Sequence, residues 1–291
     1  MNTINTVTFR QKFEAYKRNP VSMILFSLVM FATVLTILFI LFFLGYILIK
    51  GIPNLTPSLF EWTYNSVNVS LVPALINTLY MVGIALLISA PIGIFSAIYL
   101  VEYAKRGNKL VEIVRLTAET LSGIPSIVYG LFGMLFFVIA LGWGMSLLAG
   151  AFTLSIMILP LIMRTSEEAL KAVPDIYREG SYGLGAGKLR TVFKIVLPSA
   201  MPGILAGVIL GIGRIVGETA ALIYTAGSVA EIAKGRDFLF DSTRTLAVHM
   251  YALTSEGLYV NQAYGTAVVL LVIVVLINWF SEAIAKRLQR F

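Results

Sequence analysis

The chain has 291 residues, of which 58% are hydrophobic and 13% charged, against about 25% charged in an ordinary soluble domain. A soluble core of this size cannot absorb so much apolar side chain, so lipid has to be the second solvent. Cysteine is absent and His249 is the single histidine, which excludes disulfides, thiolate metal sites and cysteine nucleophiles and leaves a metal hydrolase badly supplied. The formal charge of +7 is assigned to topology rather than to nucleic acid, because excess Lys and Arg in a membrane protein gather on its cytoplasmic segments.

Residues 8–19 are basic and place Phe9, Phe13 and Tyr16 on one helical face. The 1–20 region reads as a cytoplasmic amphipathic segment on the membrane surface, or as a plain basic tail. Val21 to Ile49 follows. It is longer than the roughly 7–15 residues of a signal peptide core and lacks a small-residue cleavage site, so it predicts an uncleaved first span. Apolar stretches at 73–101, 116–141, 145–163, 200–228 and 263–285 each approach or exceed the roughly 20 residues a span needs. Each has to satisfy its own backbone hydrogen bonds, so helix is the required form. The predicted fold is all-α: a polytopic transmembrane helical bundle of about six spans, one domain over 21–285 with a cytoplasmic tail at 286–291. With the N-terminus inside, seventeen Lys and Arg fall on cytoplasmic segments and four on outer ones. That asymmetry predicts both termini in the cytoplasm. In the outer loop at 229–262, Asp241-Ser242-Thr243 can cap a short helix carrying Leu246, Met250 and Leu253. That helix is expected either over the outer mouth or simply packed within the loop.

The cytoplasmic loop at 164–198 carries the most information. A helical run from Arg164 stops at Pro174, and a second helix starts with Asp175 in its first turn. Val173, Ile176, Tyr177, Gly180 and Leu184 fall near one face, where Gly180 and Ser181 leave a shallow patch, and Gly183, Gly185 and Gly187 allow the chain to reverse. Such a projecting helical hairpin is suited to a groove in another protein. The glycines do not form a phosphate-binding loop: Tyr182 stands where a P-loop needs Gly and Leu189 where it needs Ser or Thr. The chain itself is therefore expected to bind no ATP.

In the stretch 200–228, Arg214 and Glu218 lie near the middle of a predicted span. Charges there cost at least about 2.5–3.5 kcal/mol each, so they need partners and mark a pathway. On one continuous helix they share a face and can pair, and a guanidinium fork matches the oxygens of a tetrahedral oxyanion. A purely structural pair accounts for the same two residues. Thr219 adds a hydroxyl beside them. The Gly207/Gly211 and Gly213/Gly217 spacings allow close helix approach, which makes this span a central packing helix.

Glu179-Gly180-Ser181, three residues, Gly185, nine residues, Ile195, one residue, Leu197-Pro198 is similar to the EAA motif of ABC importer permease subunits. The departure is Gly180 and Ser181 in place of two alanines; both stay small, although Gly180 weakens the helix by about 1 kcal/mol. Gly213-Arg214-Ile215-Val216-Gly217-Glu218-Thr219-Ala220 resembles the R-x-x-G-E-T signature of the phosphate-specific (Pst) permeases. Ile124-Pro125-Ser126-Ile127-Val128-Tyr129-Gly130-Leu131, Glu102-Tyr103 and Arg164-Thr165-Ser166-Glu167 look like the same family. Together these matches cover most of 73–285. The resemblance implies the architecture of ABC importer permeases of the MetI-like kind, with Arg214, Glu218 and Thr219 on the substrate pathway. It also implies that Glu179, Gly180, Ser181, Gly185, Ile195, Leu197 and Pro198 form the coupling element. Ala220-Ala221-Leu222 brings the chain nearer the A-type than the C-type subunit. The implied partners are a homologous C-type permease, a dimer of ATPase subunits that hold the ATP, an extracytoplasmic phosphate-binding protein, phosphate, and the lipid of a bacterial or archaeal inner membrane. No catalytic residue, metal site or cofactor is expected in this chain. A permease for molybdate or sulfate, a membrane-embedded enzyme, and a free-standing channel or carrier are the alternatives. One His, no Cys and a single buried acid–base pair argue against the enzyme, and the coupling-loop spacing argues against the channel or carrier.

Overall fold

A computed structural model describes residues 19–105, 107–255 and 257–288. The amphipathic segment expected at 8–19 lies almost wholly outside them, as does the end of the 286–291 tail. Every regular element among the described residues is helical. The chain divides into two units, Met1–Lys50 and Gly51–Phe291.

The first unit is in essence one helix, α1 (Pro20–Gly51), which carries no charged residue before Lys50. Large side chains such as Leu35, Phe39 and Phe42 are exposed on all its sides, the pattern of a helix whose surroundings are hydrocarbon. Thr33 and Thr36 return their hydroxyls to the carbonyls four residues back, at 2.8 Å each, so neither leaves a polar group unmet.

In the second unit α2 (Val72–Ile98) continues through a π-helical turn at Tyr99–Tyr103. After it come α3 (Lys109–Ser122), begun by the Asn108 side chain accepting from the Leu110 N–H at 3.0 Å, and α4 (Ser126–Gly133), prolonged by a π-helical stretch at Met134–Ala140. The expected span at 116–141 is thus two helices meeting at a 103° bend. Pro125 cannot donate a backbone hydrogen bond and drives Ile124 out of helical geometry, so the chain turns at Gly123-Ile124-Pro125. Trp143, in the turn that follows, stacks on Phe137 at 5.3 Å, with Gly142 and Gly144 at φ +68° and +67° closing the reversal.

Next is α5 (Leu147–Lys171), the most buried of the spans. Asp175–Gly183 is α6, Lys188–Thr191 is α7, and a π turn at Val192–Val196 leads into α8 (Leu197–Val216). A short α9 (Ala220–Thr225), the outer α10 (Leu246–Ser255) and α11 (Val260–Leu288) complete the chain. α2 and α8 both pack on α5, and α11 packs on α8. α8, expected to be a central packing helix, packs on α5, α11 and α2, while α5 is the more deeply buried of the two. α8 reaches α5 through Gly203, Gly207 and Gly211: a Cβ on Gly203 would meet that of Ala169 at 2.6 Å, and one on Gly207 would run into Thr165. Gly213 and Gly217 serve no such approach, since Gly213 has nothing within 4 Å of a built Cβ and Gly217 only its own helix backbone.

The outer segment is tied to the spans by buried side chains that carry no local signal. Asn77 of α2, fully buried, donates to the Glu231 carbonyl at 2.8 Å and accepts from the Ala233 N–H at 3.1 Å. Thr78 accepts from the Leu246 N–H at 2.8 Å. The cap expected from Asp241-Ser242-Thr243 does not form. Asp241 instead accepts from the Lys234 N–H at 3.0 Å, and Thr245 stands at the head of α10. Leu246 and Leu253 are buried, and α10 packs along α11 and α2.

His249 is wholly buried, edge-on to Tyr64 at 6.0 Å, with the Arg244 guanidinium 4.5 Å over the same Tyr64 ring. Burial first, and the Arg244 charge second, push its pKa from 6.5 down to about 3, against a weaker upward pull from the Val69 backbone. The unfolded chain therefore takes up the proton first. Stability is expected to be untouched above pH 6.5 and to fall between about 6.5 and 3, by up to about 1.4 kcal/mol per pH unit. Thermal unfolding of wild type and His249→Leu between pH 7 and 4 checks this; the variant should show the flatter acid slope, and equal slopes would refute it.

Candidate functional site

Two places in the second unit combine broken helices with charge. At the first, α8 ends at Val216, only two residues beyond Arg214. Gly217, Glu218 and Thr219 form a non-helical break before α9. The helical register that would have set Arg214 and Glu218 face to face is lost there, and among the described residues no ion pair joins them. Glu218, buried to 8% exposure, turns instead to α9, where its Oε1 accepts from the Ala221 N–H at 3.1 Å. It caps a helix start whose amides would otherwise be unmet. Thr219 is half-buried at the head of α9.

The same region receives the break in the α3–α4 pair. α4 and α9 lie against each other, so closely that a Cβ on Gly130 would stand 2.8 Å from the Ala221 Cα. The bend is held by Tyr129, 4% exposed, whose hydroxyl donates to the Leu121 carbonyl at 2.6 Å across it. Arg214 lies near enough to the Tyr129 hydroxyl to act on it electrostatically. It is half-exposed, and among the described residues no hydrogen bond or ion pair occupies its guanidinium. Two interrupted helices thus meet around a cation whose five N–H donors remain free for a planar or tetrahedral oxyanion, an arrangement suited to a transport site.

The second place is the α6–α7 hairpin. Glu179 and Gly180 are on its exposed side, and a Cβ built on Gly180 meets nothing within 4 Å. Ile176 is 71% and Leu184 91% exposed, so this small helix shows apolar side chains to water. Ser181 does not share that face: it is buried, and its hydroxyl shares a 2.8 Å hydrogen bond with Thr191 that ties α6 to α7. Val173, expected beside the patch, is buried as well. Gly185 makes the reversal at φ +81°, a conformation that costs a side-chain-bearing residue energy. Ile195 and Leu197 are half-buried and Pro198 exposed where the hairpin rejoins α8.

Sequence reasoning missed what holds the hairpin. Arg178 donates to Glu102 at 2.7 and 3.1 Å, and also to the Val173 and Leu170 carbonyls at 2.7 and 3.0 Å. The hydrogen bond to Glu102, ahead of the opposing effect of burial, pushes the guanidinium above its already high range, so it stays charged at every working pH. Below it, Glu167 of α5 pairs with Lys171 at 2.6 Å and with Arg115 of α3 at 2.7 Å.

Compared with known proteins, residues 89–290 match the family described as binding-protein-dependent transport system inner membrane component. The phosphate transport system permease protein PstA of Yersinia pestis is 32% identical over 301 residues, covering 97% of this chain and 96% of that protein. PstA 1 of Mycobacterium tuberculosis (strain H37Rv) is 36% identical over 207 residues, 70% of this chain and 66% of that one. The probable ABC transporter permease protein YqgI of Bacillus subtilis (strain 168) is 35% identical over 231 residues, 74% of this chain and 78% of that one. Among solved structures, a chain of the inward-facing MetNI methionine ABC transporter superposes with a TM-score of 0.59 at 20% identity, over 84% of this chain and 97% of that one. A chain of a bacterial alginate importer does so at 0.63 and 15% identity, over 95% and 99%. The interrupted spans, the exposed α6–α7 hairpin and these matches lead to one conclusion: the chain belongs to the family of inner membrane components of binding-protein-dependent transport systems, as a multi-span permease subunit of an ABC importer.

Proposed function

We propose that the cargo is inorganic phosphate and that this chain is the A-type half of its translocation pathway. The observation that carries the reading is Arg214, a half-exposed guanidinium without a polar partner among the described residues, near the meeting of two broken helices. It is set in the R-x-x-G-E-T stretch that resembles the Pst permeases, and relatives from Mycobacterium tuberculosis and Yersinia pestis bear the name phosphate transport system permease. Glu218 holds the break in place by capping α9, and Thr219 offers a hydroxyl beside it. The passage is completed by a homologous C-type subunit and loaded by an extracytoplasmic phosphate-binding protein. Energy comes from a dimer of ATPase subunits docked on the α6–α7 hairpin, while this chain hydrolyses no ATP. Both termini lie in the cytoplasm of a bacterial or archaeal cell.

The deciding experiment is ATP-driven uptake of labelled phosphate and of molybdate by the reconstituted complex. Phosphate uptake is expected; molybdate uptake without phosphate uptake would overturn the choice of cargo. The docking role has its own test in Glu179→Lys, which places a cation on the exposed face of α6. Uptake should fall about tenfold or more while the spans remain folded. Normal uptake in that variant would remove the hairpin from the coupling path.

A further inference from the structure

α6 has nine residues and buries a single side chain, that of Ser181. Apolar burial therefore does little to fix it against the spans. Its covalent neighbours are the turn after α5 and the Gly183–Gly187 reversal, neither of which leads to α2. The link to α2 is a residue pair 76 positions apart in sequence, Glu102 and Arg178, with side chains only 5% and 14% exposed.

Arg178 gathers three elements through one rigid fork. It bonds Glu102 in the π-helical end of α2, two carbonyls at the end of α5, and Asp175 in its own helix at 3.1 Å. A π turn is an uncommon device that tends to occur at functional positions, and here it carries both Glu102 and Tyr103, over whose ring Lys188 of α7 lies at 5.0 Å. A cavity of about 670 Å³ opens beside the pair, lined by Lys105, Arg115 and Lys171 among others, while the apolar contact with the end of α2 is made by Val173, Val192 and Val196 rather than by α6 itself. A buried, bidentate ion pair contributes little net stability, yet it fixes one geometry, because removing either partner leaves an uncompensated charge.

We propose that Glu102 and Arg178 are positioning residues that form a rigid joint, through which displacement of the ATPase-docking hairpin is passed to α2 and α5 together. The joint rests on the reading of α6–α7 as the docking element. Its readout is the amount of solute carried per ATP hydrolysed, which a pair that merely kept the chain folded would not change.

The test is the complete reconstituted importer carrying Glu102→Gln, Glu102→Asp or Arg178→Lys, with ATPase co-purification, ATP hydrolysis and phosphate uptake measured on each. Glu102→Gln is expected to recruit ATPase normally and to hydrolyse ATP within about twofold of wild type, with uptake per ATP reduced about tenfold. Glu102→Asp should recover most of the ratio, and Arg178→Lys, which cannot bridge all three elements, should fall between. Should Glu102→Gln not assemble, the ratio in Arg178→Lys decides. An unchanged ratio with normal ATPase recruitment would overturn the joint alone. A wild-type chain that recruited no ATPase would overturn the docking reading and the joint with it.

Discussion

Arg214→Gln is expected to abolish phosphate uptake while the subunit still folds and assembles. The change removes a charge-assisted fork worth about 1.5–3 kcal/mol to a bound oxyanion, or roughly 10–150-fold in its binding. What makes the outcome separable from misfolding is the fate of Glu218. On a continuous helix, neutralising Arg214 would leave its carboxylate partner stranded in the membrane. Here that carboxylate is already engaged by the Ala221 N–H, so the substitution orphans no buried charge. Uptake of labelled phosphate, set beside the yield of assembled complex, distinguishes the two. A variant that failed to assemble would show Arg214 to be structural. Glu218→Ala tests the other half of the argument: it should cost about 0.5–2 kcal/mol of stability by uncapping α9.

Gly130→Val is expected to destabilise the permease and abolish uptake together. The added Cβ would meet the Ala221 Cα at 2.8 Å and its carbonyl oxygen at 3.1 Å. These are backbone atoms that cannot swing aside, so α4 would have to move off α9. Overpacking of this kind costs about 1–3 kcal/mol even where side chains relax, and it falls on the contact that brings the two helix breaks together. Gly180→Ala is the matched control, since its Cβ enters open space and helix propensity improves by up to about 1 kcal/mol. Thermal unfolding of the purified complexes compares them. A Gly130→Val protein as stable as wild type would show that the α4–α9 crossing has slack.

The reading of the Gly-Glu-Thr stretch shows where local reasoning stops. The presence of Arg214 and Glu218 at the end of a long apolar run was legible, because in hydrocarbon an ionisable residue stands out against such a run. Whether Arg214 and Glu218 pair was not legible, because this depends on where α8 ends, and hydropathy does not register a break of three residues. Gly217 was a visible breaking signal, but it was taken for a packing residue. At 123–125 the break is set locally, since a proline acts on its own backbone and its neighbour's whatever the surroundings.

The hairpin divides in the same way. Its limits, its reversal at Gly185 and its exposed Glu179 followed from the order of residues. The inward turn of Ser181 toward Thr191 depended on how two short helices lie side by side.

The sequence by itself determined that this chain lives in lipid, about how often it crosses, and where Pro174 and Gly185 turn the chain. Each of these follows from interactions within a few residues: a span satisfies its own backbone, a proline breaks its own turn, a glycine reverses its own chain. Only the tertiary structure decided which charges meet. Arg178 found Glu102, Asn77 found the 231–233 segment, and Arg214 was left without a polar partner among the described residues. These outcomes turn on side chains brought together by helix packing across scores of residues, and no local period or spacing carries that information.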